Sequence, residues 1–127
     1  LLSTGQQIPN VAAAIGAAEP VFESTKELVR KALGAPLFNT YGSREFMSIA
    51  AECPAHRGLH INMENILLET SLPPDKGPSA LLVTDLHNLG MPFLRYEIGD
   101  VGALASRKCE CGRGLAFVES IEGRILD

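Results

Sequence analysis

Three stretches of this chain carry residue types and spacings that could do chemistry. Tyr41-Gly42-Ser43-Arg44-Glu45 follows directly on the apolar Leu37-Phe38-Asn39. A Gly-containing turn after a strand exposes backbone N–H groups, and Ser43 and Arg44 add a hydroxyl and a cation, a set suited to an anion such as phosphate. Glu45 offers a hard oxygen ligand for the magnesium that accompanies a nucleotide. Read alone, the same residues also describe a plain turn with a surface salt bridge. The second stretch is Arg95-Tyr96-Glu97-Ile98-Gly99-Asp100. A carboxylate held in a turn accepts two hydrogen bonds at once and so fits the paired hydroxyls of a ribose; the competing reading is a hairpin turn in which Asp100 bonds its own backbone. The third set is discontinuous: Cys53, His60, Cys109 and Cys111. Three thiols and one imidazole make a tetrahedral zinc set, although Cys-x-Cys is tighter than the usual structural-zinc spacing. Gly112 would let the chain turn so that backbone N–H groups face the thiolates. The competing reading is reduced thiols beside a solvent-facing His60, ahead of a catalytic cysteine. His87, in Asp85-Leu86-His87-Asn88, reads as a loop residue.

The elements that must position these groups fall into two parts. Val11-Ala12-Ala13-Ala14-Ile15, closed by Gly16, reads as a short buried strand. Ala18-Glu19-Pro20 leads onward. Ser24 three residues ahead of Glu27 makes a capping-box pattern. Leu28, Val29, Ala32 and Leu33 recur at helical spacing, and Gly34 with Pro36 supplies the stop. Leu37–Asn39 is the next strand, which completes a strand–helix–strand unit. Beyond it, Leu59, Ile61 and Met63 alternate with polar neighbours, the period of a half-buried strand with His60 on its polar side. Segments 66–68, 80–84, 93–98 and 115–118 are further short strands, separated by turn signals at 73–78 and 88–92. The 73–78 segment reads as a hairpin loop. Phe46–Ala50 and Ile66–Leu68 read as core in the main, with an acyl-pocket lining as the alternative. The expected fold class is α+β: a strand–helix–strand α/β portion over 1–52, then a mainly antiparallel sheet or partial β-barrel over 53–122.

Composition narrows the function classes. The 127 residues are 46% hydrophobic and 20% charged, enough to bury a core. Eleven basic against fifteen acidic side chains give a net charge of -4, which argues against a chain that coats nucleic acid or an anionic membrane. No apolar run approaches the ~20 residues that span a bilayer. Three cysteines are too few for a disulfide-stapled secreted scaffold, so a cytoplasmic setting is expected. The opening Leu1-Leu2-Ser3-Thr4-Gly5 has no initiator Met and no signal-peptide pattern, so the chain is expected to be a piece of something longer. Oligomeric state is not legible.

Taken in order, Gly16–Pro20, Tyr41–Glu45, Arg95–Asp100 and Gly123-Arg124-Ile125-Leu126-Asp127 resemble the adenylate-forming ligase superfamily, most closely its phenylacetate–CoA ligase-like branch. Further similarity lies in Ala51–Pro54, Gly58–Ile61 and Cys109–Arg113, so the resemblance runs from Pro9 to Asp127. It implies part of the large N-terminal domain of an enzyme that activates a small carboxylic acid with ATP and passes the acyl group to coenzyme A. Ala18, Glu19 and Pro20 would then lie on one face of the adenine and Tyr41 on the other, with Asn39 at the adenine amino group. Gly42, Ser43 and Arg44 would approach the α-phosphate, Glu45 would bind magnesium, Asp100 would hold the ribose hydroxyls, and Arg124 would sit near ribose and phosphate. Arg44 and Glu45 are thus the candidate catalytic residues, and ATP or AMP the nucleotide.

Some members of that branch keep a Cys…His…Cys-x-Cys pattern, which implies zinc at Cys53, His60, Cys109 and Cys111; His60 matches better than His56. Residues 123–127 would begin the hinge to a C-terminal lid domain. Two positions depart from the family: Arg44 replaces a usual Thr or Ser and is free to pair with Glu45 or Glu52, and Leu126 replaces a usual charged hinge residue. The family's Gly/Ser/Thr-rich phosphate loop and its lid lysine are not in the sequence, so these residues alone are expected to be catalytically inactive. The alternatives are a non-catalytic, zinc-stabilised binding module and an adenylyltransferase of capsule polysaccharide synthesis.

Overall fold

A computed structural model of the chain describes residues 3–6 and 8–125. Helix α1, Glu23–Leu33, forms where expected and stops at Gly34. That glycine takes a left-handed conformation (φ 67°) and donates its N–H to the Arg30 carbonyl, the cap a residue without Cβ makes cheaply. The expected capping box does not form. The cap residue is Phe22, extended at ψ 157°, with no side-chain cap bond. Ser24 already lies inside the helix, and the carbonyl of Phe22 accepts the N–H groups of Thr25 and Lys26 directly. The chain is extended at Phe22 and turns into the helix two residues too early for Ser24 to face the free N–H groups.

Strand β1 (Ala14–Gly16) precedes the helix and pairs in parallel with β2 (Leu37–Tyr41), with Gly16 opposite Asn39. The remaining strands are β3 (Ala50–Glu52), β4 (Leu59–Ile61), β5 (Ile66–Thr70), β6 (Ser79–Asp85), β7 (Tyr96–Leu104) and β8 (Phe117–Arg124). All eight join one sheet in the order β1-β2-β3-β4-β8-β7-β6-β5, antiparallel everywhere beyond the first pair. The α+β expectation therefore holds. The Pro/Gly segment closes the β5–β6 hairpin through a short 3-10 turn at Pro74–Lys76.

The sheet curls. β2 and β7 stand four places apart, about 19 Å in a flat sheet, yet the Tyr41 hydroxyl touches the Asp100 carboxylate at 2.7 Å. The concave side holds the main core of Phe46, Ile49, Ala50, Leu59, Ile61, Ile66, Leu68, Leu81, Val83, Ile98 and Val118. A second, small cluster of Cys53, Cys109 and Phe117 covers the opposite side near β4.

Two expectations are corrected by this packing. β4 ends at Ile61 and all three of its residues are buried, so His60 is not on a polar, solvent-facing side. Between β3 and β8, with one cluster on each face, β4 has no exposed side for its alternation to mark. Asp100 is not in a turn either. β7 continues through it, and Gly99 (φ 84°) sits in a bulge where Leu82 opposes Glu97 but Ala80 opposes Val101. Gly-Asp, a turn signal in sequence, is used inside a strand to re-aim a side chain. Among the described residues no helix is long and apolar enough to cross a membrane.

Candidate functional site

Parallel pairing of β1 and β2 brings their carboxyl ends side by side, the place where open α/β sheets expose loops to ligands. Segment 17–20 leaves from one end and segment 42–49 from the other. Ala18 holds a left-handed φ of 71° and Met47 one of 57°, conformations that cost an L-residue energy and cluster at functional loops. Gly42 is fixed by space: a Cβ there would lie 1.7 Å from the Met47 carbonyl oxygen. Thr40 ties the two strands together by donating its hydroxyl to the Gly16 carbonyl at 2.9 Å.

Curling then carries Asp100 to this edge. Its Oδ2 accepts the Tyr41 hydroxyl at 2.7 Å, and its Oδ1 lies 3.5 Å from Arg124 Nε. Arg124 is the register partner of Asp100 at the end of β8 and donates from Nη2 to the Ile98 carbonyl at 3.3 Å. A side chain at Gly99 would meet the guanidinium at 3.4 Å, so the glycine leaves room for it. Burial first, then the Asp100 carboxylate, pushes the Tyr41 phenol far above its ordinary range, so it acts as a donor and stays neutral. An open depression of about 530 Å³, lined by Glu97, Gly99, Arg124 and Ile125, adjoins this group.

Glu19, Arg44 and Glu45 are exposed. Ser43 Oγ is shielded from solvent and makes no hydrogen bond of normal geometry. Its hydroxyl beside the Glu45 carboxylate, aided by Glu45's own backbone N–H and the charges of Arg124 and Arg44, holds that carboxyl below its usual range. Arg44 forms no salt bridge to Glu45 or Glu52 among the described residues. Asn39 donates its backbone N–H to Glu52 Oε2 at 2.8 Å. Arg124 ends β8, and Ile125 donates its N–H to the Gly99 carbonyl; Leu126 and Asp127, the rest of the expected hinge, lie outside the described residues.

Glu52 itself is a site residue whose role the sequence does not reveal. Its side chain is only 7% exposed, yet Oε1 meets Lys26 Nζ at 2.8 Å and His56 Nδ1 at 3.0 Å. Burial alone would raise its carboxyl; Lys26, the Asn39 N–H and His56 outweigh that and lower it. A depressed carboxylate stabilises the fold above its unfolded-state value and loses that contribution as pH falls through the folded value. Glu52→Gln is therefore expected to destabilise the protein by about 1–2 kcal/mol at pH 7. In urea unfolding the gap should narrow as pH falls below the ordinary carboxylate range and close once the wild-type carboxyl is protonated in the folded state too. A gap that does not narrow with falling pH would show that charge is not the cause.

The thiol–imidazole set assembles around β4. Cys53 follows β3, His60 lies in β4, and Cys109 and Cys111 sit in the long β7–β8 loop. Their four ligand atoms all lie within 4.8 Å of one another. Cys53 Sγ and Cys109 Sγ are 3.7 Å apart, against about 3.8 Å for two thiolates on a tetrahedral zinc with Zn–S near 2.3 Å. Cys111 Sγ is 3.2 Å from His60 Nε2. Gly112 turns the chain at φ 80°, and the Arg113 N–H faces the Cys111 sulfur, as the Ala55 N–H faces that of Cys53. Burial pushes the Cys53 thiol up, whereas the Arg113 N–H foremost lowers that of Cys111. His56 turns instead to Glu52 and stacks on Phe38 at 5.2 Å. The donor set and spacing fit zinc, with His60 Nδ1 left buried and unpaired among the described residues.

No protein-family model matches the chain. A phenylacetate-coenzyme A ligase of Thermus thermophilus is 34% identical over 124 residues, an alignment that takes in 90% of this chain and 28% of that protein. Over the aligned residues the chain is similar to a segment of that ligase. Among solved structures, an open conformation of 2-hydroxyisobutyryl-CoA ligase in complex with 2-HIB-AMP and CoA superposes with a TM-score of 0.71 at 19% identity, over 87% of this chain and 26% of that one. The same ligase in its thioesterification state, also with 2-HIB-AMP and CoA, gives 0.68 at 21% identity, over 82% and 24%. At that identity the structures speak to the fold alone. The chain spans about a quarter of the length of these relatives.

Proposed function

We propose that this segment supplies the adenine- and ribose-facing part of an ATP-dependent ligase that activates a small carboxylic acid and transfers it to coenzyme A. The observation that carries the reading is the meeting of Tyr41, Asp100 and Arg124 beside loops 17–20 and 42–45. The adenine lies between Ala18-Glu19-Pro20 and the ring of Tyr41, a flat side chain suited to stacking. The side-chain amide of Asn39, whose backbone N–H is already spent on Glu52, faces the adenine amino group. Asp100 accepts the ribose hydroxyls. Gly42, Ser43 and Arg44 face the α-phosphate, and Arg124 reaches ribose and phosphate from the other side.

In the reaction the substrate carboxylate attacks the α-phosphorus of ATP and the bond to pyrophosphate breaks. The thiol of coenzyme A then attacks the acyl carbon, loses its proton and releases AMP. The protein's contribution is to hold the reactants in line and to offset spreading negative charge. Arg44 and Ser43 do this at the phosphate. Glu45, ionised and exposed, fits the oxygen-ligand chemistry of magnesium, which would screen the phosphate charge when bound. Cys53, His60, Cys109 and Cys111 would hold zinc as a structural staple.

The test is acyl-adenylate formation by the full-length protein. With ATP and a panel of aromatic and short aliphatic acids, pyrophosphate should appear first, and acyl-CoA only after coenzyme A is added. Zinc at one per chain with no nucleotide binding would instead favour a binding module. Adenylyl transfer to another acceptor without acyl-CoA would favour the adenylyltransferase reading.

A further inference from the structure

We infer that the Tyr41 hydroxyl is a positioning group that orients the Asp100 carboxylate for a vicinal diol, so that Tyr41 acts through its oxygen as well as its ring. The inference rests on the reading of Asp100 as the ribose acceptor. Asp100 is half-buried, with its side chain 16% exposed, and belongs to a bulged stretch where the strand alone does not fix its direction. Its two oxygens are instead held from opposite sides. Tyr41 donates to Oδ2 at 2.7 Å from a strand four places away in the sheet, and Arg124 stands at Oδ1, 3.5 Å from its Nε.

A carboxylate offers about four lone-pair positions. With Tyr41 bonded to Oδ2 and Arg124 ion-paired beside Oδ1, each oxygen keeps at least one open, enough for two adjacent hydroxyls. The fork is thus set before a ligand arrives, and the ordering of Asp100 is not charged to binding. Burial and Asp100 keep the phenol protonated at all ordinary pH, so it never competes as an anion. Arg124 is much less constrained, with its side chain 74% exposed. The rigid half of the bracket is Tyr41.

The experiment compares AMP with 2′,3′-dideoxy-AMP on the full-length protein by calorimetry, for wild type, Tyr41→Phe and Asp100→Ala. Phenylalanine keeps the stacking ring and removes only the hydroxyl. Tyr41→Phe is expected to weaken AMP by about tenfold and to leave dideoxy-AMP within about twofold of wild type. A purely structural or stacking role would move both ligands together. Equal weakening of both, or no change in either, overturns the inference if Asp100→Ala still abolishes the preference for the diol. If wild type does not distinguish the two nucleotides, the ribose reading of Asp100 fails, and the positioning role fails with it.

Discussion

Replacing Cys109 with serine is expected to release one zinc per chain and to lower the midpoint of thermal unfolding by about 10 °C or more. The β7–β8 loop leaves β7 after Leu104 and rejoins the sheet at Phe117. Its apolar anchorage is slight, consisting of Cys109 against Cys53 and Phe117 with Ala55, Ala105 and Cys111 at the margin. Loops of this length without secondary structure of their own are uncommon in compact domains unless something ties them down. A metal shared by Cys53, His60, Cys109 and Cys111 would tie this one to the ends of β3 and to β4 at once. Serine keeps the size of cysteine but is a poor zinc ligand. The measurement is metal content by mass spectrometry with thermal unfolding, against chelator-treated wild type, to which the variant should become equivalent. Because the thiols must ionise to bind, zinc affinity should fall as pH is lowered. His56→Ala serves as the control, since His56 faces Glu52, and it should keep its zinc. Wild-type protein without zinc, or Cys109→Ser protein that retains it, would sink the metal site.

The zinc set shows what a sequence can reveal and why. Gly112 and the neighbouring cysteines are local chemistry, and the turn with N–H groups at sulfur follows from them. That His60 completes the set instead of His56, four residues earlier, depends on β4 lying between two clusters, which no alternation reports. The elements behave in the same way. Helix α1, its Gly34 stop and the β5–β6 hairpin are set by neighbours in the chain and were legible. No strand is expected over β3, of which only Ala50 belongs to the Phe46–Ala50 run read as core. β3 is three residues long, and what makes it a strand is pairing with β2 and β4. Gly99-Asp100 looked like a turn because glycine supplies the same positive φ to a turn and to a bulge. The Glu52 network joins a helix, a strand and a loop through Lys26, Asn39 and His56, so no local spacing predicts it.

Asp100→Ala is expected to weaken AMP binding to the full-length protein by about 50-fold, while the fold persists. Two charge-assisted hydrogen bonds to ribose hydroxyls contribute about 2–3 kcal/mol after water has replaced them in the free state. The loss also strips Tyr41 of its acceptor and Arg124 of its counter-charge. Asp100 is not among the residues that build the main core, and the substitution leaves intact the Tyr41 side chain that packs against it. Stability should therefore fall by only about 1 kcal/mol, the value of one hydrogen bond to a charged group partly regained from solvent. Asp100→Asn separates charge from shape. The amide keeps one acceptor oxygen and can still meet Tyr41, but its NH2 offers donors where a diol needs an acceptor. Its expected weakening is about tenfold. Wild type, Asn and Ala should thus form a graded series for AMP. The same three proteins should bind 2′,3′-dideoxy-AMP almost equally. A series that is flat for AMP, or equally steep for the dideoxy compound, would place the ribose elsewhere and leave Asp100 a bracket between two strands.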